Sequence, residues 1–195
     1  SYTGVNAGLV VCVADDPAMH SSQNEQDSRH YAIAAKLPML EPADSAEAYE
    51  FARASFALSE RFDTVVMIRM TTRIAHSQSL VETGERACPP DRPYEKNPEK
   101  YIMMPAYAKR RHPIVEARTA ALAEFAEDCP FNRIEDGADH SLGIITSGAC
   151  YQYVKEVFGD TVPVLKLGMV NPLPPRMIEK FAASVRRLVV VEELD

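Results

Sequence analysis

The chain has 195 residues, enough for one ordinary domain or two small ones. Hydrophobic residues make up 46% and charged residues 25%, which supports a real core and excludes a disordered chain. The formal net charge of −7 argues against nucleic acid as the main partner, because phosphate binding needs a concentrated positive field. The four cysteines, Cys12, Cys88, Cys129 and Cys150, are dispersed and form no C-x-x-C pair, so no zinc or iron–sulfur site is expected within the chain. A reducing, cytoplasmic setting is expected, and no apolar run is long enough to span a membrane. The chain opens without an initiator Met and has strand-like runs close to both ends. These features lead to the expectation of a segment of a larger enzyme.

Residues 9–14 (LVVCVA) form a continuous Val-rich run, expected to be a strand buried on both faces of a parallel sheet. Asp15, Asp16 and Pro17 end it. Residues 24–36 predict a helix that stops before Pro38, and Met39–Leu40 a short extended piece. Asp44 or Ser45 can cap a helix that has Glu47 at capping-box spacing and runs to about Glu60. Residues 64–70 (TVVMIRM) predict a second buried strand. Residues 73–139 are Pro-rich and predict a long connector, with an amphipathic helix starting at Pro113 and reaching Phe125. Alternation then returns. Residues 143–146 predict a strand, 147–148 a turn and 149–158 a helix; Val164–Leu167 predicts a strand, 175–185 a helix and Leu188–Val191 a strand. Strand–helix–strand–helix–strand with short loops is half of a doubly wound parallel sheet. The fold class is therefore α/β, with parts of two parallel-sheet domains joined by a Pro-rich connector. The expected divisions are 1–75, 76–138 and 139–195.

Ligands of open parallel sheets bind beyond the carboxyl ends of the strands. Residues 15–29 (DDPAMHSSQNEQDSR) follow the first strand and are dense in hydrogen-bonding groups. Either a capped surface loop or the wall of a cleft for a polar substrate would use such residues. The candidate site residues are Asp15, His20, Ser21, Ser22, Gln23, Asn24 and Arg29. Arg29 is suited to a carboxylate through its bidentate fork, and His20 to proton relay. Residues 146–148 (TSG) precede a helix and offer backbone N–H groups to an anion. Glu192 and Glu193, beyond the last strand, can orient a cofactor, form a salt bridge or face solvent. Residues 109–112 (KRRH) read as a solvated basic turn or as a docking point for an acidic partner.

Residues 10–32 (VVCVADDPAMHSSQNEQDSRHYA) resemble the large (alpha) subunit of indolepyruvate ferredoxin oxidoreductases, in the 2-oxoacid:ferredoxin oxidoreductase superfamily. The resemblance continues in family order through 37–48 (LPMLEPADSAEA), 68–82 (IRMTTRIAHSQSLVE), 97–113 (NPEKYIMMPAYAKRRHP), 143–156 (GIITSGACYQYVKE), 165–174 (LKLGMVNPLP) and 189–195 (VVVEELD). It implies the later part of a thiamine-diphosphate pyrimidine-binding-type domain, a connector, and the first part of a transketolase C-terminal-like domain. The implied reaction is oxidative decarboxylation of an aryl 2-oxoacid, indolepyruvate, to the acyl-CoA, with electrons passing to ferredoxin. The implied cofactors of the full-length protein are thiamine diphosphate with magnesium and 4Fe-4S clusters. The implied partners are a small beta subunit, ferredoxin, the 2-oxoacid and coenzyme A.

The family's GDG metal–diphosphate motif and its clustered cysteines are absent from these residues, and the cofactor-activating glutamate is expected upstream. No metal ligand is therefore assigned here. This segment alone is expected to bind no cofactor, to be inactive and to self-associate through open sheet edges. Alternatives are a related oxidoreductase for branched-chain or phenylpyruvate substrates, and a non-catalytic interaction module of the same fold.

Overall fold

The computed structural model describes residues 2–20, 22–86, 88–89 and 91–194. Two four-stranded sheets carry the chain. The first contains β1 (Val10–Asp15), β2 (Met39–Leu40), β3 (Val66–Thr71) and β7 (Met169–Asn171), in the order β1-β3-β2-β7. The second contains β4 (Arg133–Glu135), β5 (Gly143–Ser147), β6 (Val164–Leu167) and β8 (Leu188–Val191), in the order β4-β6-β5-β8. In each sheet three strands run parallel and one edge strand, β7 or β4, runs antiparallel. The architecture is the expected α/β type with two parallel-dominated sheets. β4 falls within the expected connector yet pairs with the second sheet. β7 falls within the expected last unit yet pairs with the first.

The best-specified helix is α2 (Ser45–Phe62). The Asp44 carboxylate accepts the Glu47 backbone N–H at 2.9 Å, and Glu47 accepts the Ala43 N–H at 2.8 Å. One of the helix's otherwise unpaired donors, and the N–H of the residue just before the cap, are thus satisfied. The helix ends at Asp63, whose left-handed φ of 51° turns the chain toward β3. Phe51 and Leu58 on its inner face pack with Leu40, Val66, Ala126, Cys129 and Met169. A second core lies under α6 (Cys150–Phe158), where Val154 meets Ile144, Val162 and Val164. A third lies under α7 (Pro175–Ala183), where Phe181 meets Ile145, Leu165 and Leu167.

Three expectations need correction. β1 is not buried on both faces: Leu9 is 49% and Val11 40% exposed. Among the described residues it pairs with β3 alone, so an apolar run of parallel-core type lies at an edge. The helix expected over 24–36 is α1 (Arg29–Ala35) alone. Side-chain bonds from Asp15 and Asp16 hold the preceding residues as a loop, and Lys36 closes the helix at φ 54°. The helix expected from Pro113 is α5 (Pro105–Glu127), with Pro105 near its start and Pro113 inside it. Tertiary bonds hold the turns before Pro113. Arg111 donates to the Tyr2 carbonyl at 2.9 Å and to Asp63 at 3.1 Å, and the Tyr2 hydroxyl lies 2.7 Å from His112 Nδ1. Much of the basic 109–112 stretch is thereby structural, since Arg110 also pairs with Glu99 at 2.9 Å.

The rest of the connector holds α3 (Thr72–His76), which continues from β3, and α4 (Pro98–Tyr101). Between them the chain lies against α2, where Arg92 pairs with Glu60 at 2.6 Å and the Gly84 N–H donates to the Tyr49 hydroxyl at 2.8 Å.

Two buried side chains stitch the sheets together. Asn132 accepts the N–H groups of Gly168 and Met169 at 3.0 and 2.9 Å and donates to the Ala126 carbonyl at 3.0 Å. It thus fixes the point where the chain leaves β6 for β7. A side chain at Gly168 would strike the Phe131 carbonyl and the Phe51 ring. Lys166 of β6, fully buried, pairs with Glu47 of α2 and sits 5.1 Å over the Phe51 ring. Burial pulls the Lys166 ammonium below its ordinary pKa, against the pull of Glu47.

Replacing Asn132 by Ala strands two N–H groups and a carbonyl in the core. Asn132→Ala is expected to lower stability by about 3 kcal/mol in urea denaturation. A loss under about 1 kcal/mol would show that water replaces the amide.

Candidate functional site

The carboxyl ends of the two parallel sheets face each other. Asp15 ends β1, Glu41 directly follows β2, and Arg69 lies near the end of β3. On the other side Ser147 ends β5, and Glu192 directly follows β8. Strand register brings the first three together. Val13 pairs with Arg69 and Leu40 with Ile68, so Asp15 lies diagonal to Arg69 and Glu41 beside it.

The Arg69 side chain has no exposed surface. Its Nε donates to Asp15 Oδ2 and its Nη1 to Glu41 Oε1, each at 2.6 Å. Its Nη2 is buried without a hydrogen-bond acceptor among the described residues. Burial works against the charged guanidinium, but Glu41 and Asp15 outweigh it and keep Arg69 firmly protonated. Burial pushes the Glu41 carboxyl above the usual range, with Arg69 and Arg29 opposing the shift.

Each carboxylate extends the network. Asp15 also accepts the Ser28 N–H at 2.8 Å and the Ser28 hydroxyl at 2.6 Å, so one side chain fixes the entry to α1. Glu41 accepts from the Ser147 hydroxyl at 3.3 Å, and its N–H donates to the Gly168 carbonyl at 2.8 Å. Gly148, with φ 51°, lets the chain pass the Glu41 carboxylate where any side chain would collide with it. The TSG turn therefore faces a carboxylate of the protein itself.

Arg29, the first residue of α1, links the same end to the second sheet. It donates to Asp27 at 2.7–3.0 Å, to Glu192 at 2.5 Å and to the Glu193 carbonyl at 2.9 Å. Burial opposes the charge, but Asp27 and Glu192 raise the Arg29 pKa. Burial likewise pushes Asp27 up, yet its bonds to Arg29 and the nearby Arg69 charge hold its carboxyl below the usual range.

A cavity of about 830 Å³ opens beside this network, lined on its polar side by Asp15, Asn24, Glu25, Gln26, Asp27, Ser28 and His30. The candidate residues separate into two groups around it. Asp15 and Arg29 are bound into the wall, and Ser22 donates to Asp16 at 2.8 Å behind it. Asn24 lines the cavity, and its amide donates to the Glu25 carbonyl at 3.0 Å. Gln23 is exposed, and His20 faces separate, smaller cavities near Arg73. Ser21 lies outside the described residues. Sequence reasoning missed Arg69, Glu41, Asp27 and Ser28. A usable signal existed for the first: a single arginine in the apolar run TVVMIRM demands a buried carboxylate.

Removing the central cation leaves two buried carboxylates facing each other. Arg69→Met is expected to cost about 3–5 kcal/mol in urea denaturation, and a loss below about 1 kcal/mol would contradict the network. Asp27 is held below its unfolded pKa of about 3.9, so its contribution is present above that pH and is lost as pH falls through the lower, folded value. Glu41 acts with the opposite sign: its contribution is present at acid pH and is lost as pH rises through its raised, folded value. Asp27→Asn is therefore expected to flatten the decline of the urea midpoint as pH falls below about 4. An unaltered acid limb would show that Asp27 carries no linkage.

No model of a known protein family matches the chain. It is 43% identical over 200 residues to the indolepyruvate oxidoreductase subunit IorA of Methanothermobacter thermautotrophicus, an alignment covering 100% of this chain and 32% of that subunit. The IorA subunit of Archaeoglobus fulgidus is 38% identical over 203 residues, with the same coverage. The chain thus spans about a third of the length of the curated relatives it matches. Among solved structures it is similar to the 2-oxoglutarate:ferredoxin oxidoreductase of Magnetococcus marinus, solved with 2-oxoglutarate, coenzyme A and succinyl-CoA bound. The TM-score is 0.57 at 14% identity, over 92% of this chain and 40% of that one. At that identity the likeness is one of fold. Matched from end to end at about 40% identity, the chain is similar over its whole length to about a third of the indolepyruvate oxidoreductase subunit IorA.

Proposed function

We propose that this chain forms one wall of the active site of a thiamine-diphosphate-dependent oxidoreductase. The reaction is oxidative decarboxylation of an aryl 2-oxoacid, indolepyruvate, to the acyl-CoA, with electrons passing to ferredoxin. The observation that carries this reading is the polar cavity lined by the end of β1, the loop that follows it and Leu194 beyond β8, in a chain matched throughout by IorA subunits. In this reading 1–75 belong to the pyrimidine-binding-type domain, 76–138 to the connector and 139–195 to the transketolase C-terminal-like domain.

The donor set supports part of the cofactor requirement. Asn24, Gln26 and Ser28 are uncharged hydrogen-bonding groups beside an open cavity, suited to the polar organic parts of a cofactor or substrate. No group of three or more His, Cys, Asp or Glu among the described residues is placed to hold a metal ion. In this reading the magnesium–diphosphate and 4Fe-4S sites belong to other parts of the full-length protein. When bound, thiamine diphosphate supplies a carbon nucleophile for the keto group and a sink for the electrons released with carbon dioxide. The residues of this chain bind, orient and exclude water. Arg69 and Asp15 fix the strand ends, and Arg29 ties the loop to the β8 end through Glu192. Asn24 and the exposed Gln23 meet the substrate's polar groups, with His20 at the outer rim.

The full-length subunit with its partner subunit is expected to reduce ferredoxin when given indolepyruvate and coenzyme A, with a higher kcat/KM than for phenylpyruvate or 2-oxoisovalerate. A preference for 2-oxoisovalerate would point to a branched-chain enzyme. Failure with all three would leave the non-catalytic module. In the active complex Arg29→Met is expected to lower kcat by on the order of 10²-fold through misplacement of the wall. Full activity in that variant would remove Arg29 from the reading.

A further inference from the structure

A second polar site lies at the outer mouth of the strand ends, away from the Arg69 network. It is a cavity of about 250 Å³ lined by His20, Thr72, Arg73, His76 and Ser77. Arg73 and His76 come from α3, which leaves β3 directly, and His20 comes from the loop after β1. Three nitrogen-bearing side chains from two strand-end segments therefore converge on one pocket.

These side chains differ from most basic groups of the fold. Arg29, Arg69, Arg92, Arg110, Arg111, Arg133 and Arg176 all pair with carboxylates. Among the described residues, the side chains of His20, Arg73 and His76 make no hydrogen bond or ion pair. The two hydroxyls in the same wall are engaged elsewhere. Thr72 donates to Asp16 at 2.5 Å and Ser77 to the Ile74 carbonyl at 2.9 Å. The free hydrogen-bonding capacity of the pocket is thus that of the guanidinium and the two imidazoles. The backbone before His20 is also held in an unfavourable conformation: Ala18 and Met19, neither a glycine, have φ of 63° and 58°.

An adjoining cavity of about 470 Å³ shares His20 and Arg73 and adds Glu25 and Glu193. The combined opening is polarised, with donors at the α3 end and two carboxylates at the other. A ligand matching it carries an oxyanion at one end and hydrogen-bond donors at the other.

We infer that His20, Arg73 and His76 form a binding site for the oxyanion of an organic ligand, a carboxylate or a phosphate, gripped chiefly by the Arg73 guanidinium. This site goes beyond the proposed reaction and does not rest on it, since binding is read without turnover.

The test uses the full-length protein, with inorganic phosphate and phenylacetate titrated separately and followed by ligand-observed NMR. Arg73→Ala is compared with Arg187→Ala, which removes the same charge from an exposed position on another segment. The dissociation constant of at least one probe is expected to rise about ten-fold in Arg73→Ala and to stay unchanged in Arg187→Ala. The probe that responds identifies the source of the oxyanion. His76→Gln serves as a second variant and is expected to weaken the same probe without altering Tm. Equal weakening in Arg73→Ala and Arg187→Ala, or no binding of either probe to the unaltered protein, would overturn the inference.

Discussion

A single buried guanidinium, that of Arg69, holds together groups that hydration would otherwise keep apart. Taking a carboxylate or a guanidinium out of water costs several kcal/mol, and that cost is met only when the charges pair with good geometry. Arg69 meets Asp15 and Glu41 at 2.6 Å each, on the strands that flank β3. Everything around the cavity follows from those two bonds. Asp15 sets Ser28 and hence the start of α1; Glu41 reaches the β5 end through Ser147 and the β6–β7 crossover through its own N–H.

The arrangement also explains why the two sheets meet at their carboxyl ends. A parallel sheet presents backbone and side-chain polar groups there, and a second such end can satisfy them only if the charges complement each other. Arg29 bridging Asp27 and Glu192 provides that complement on the outer side, and Lys166 with Glu47 provides it on the inner side. The cavity lies beside this scaffold, so its walls are fixed by ion pairs while its exposed side chains remain available to a ligand.

Much of this was legible in the sequence. The short apolar runs at β5, β6 and β8 fall where expected because such stretches bounded by turn residues have few other uses. The Asp44–Glu47 cap follows from spacing alone. The polar density of 15–29 marked the cavity wall. What escaped depends on distant partners. The extended piece at 39–40 was legible, but β7, three residues long, had no local signal, and its pairing with β2 across about 130 positions could not be read from either segment. Pro105 and Pro113 both fit the first turn of a helix, and only the contacts of Arg111 and His112 choose between them. Asp15 and Asn24 read alike as polar loop residues, although one is a buried ion-pair partner and the other lines the cavity.

The central claim is that Arg69 couples the two sheet ends into one unit. Native-state hydrogen exchange of the full-length protein, with and without Arg69→Met, tests it directly. The account predicts that the Ser28 amide in the loop after β1 and the Glu41 amide at the sheet junction lose protection together. Loss at Ser28 with Glu41 unchanged would contradict it.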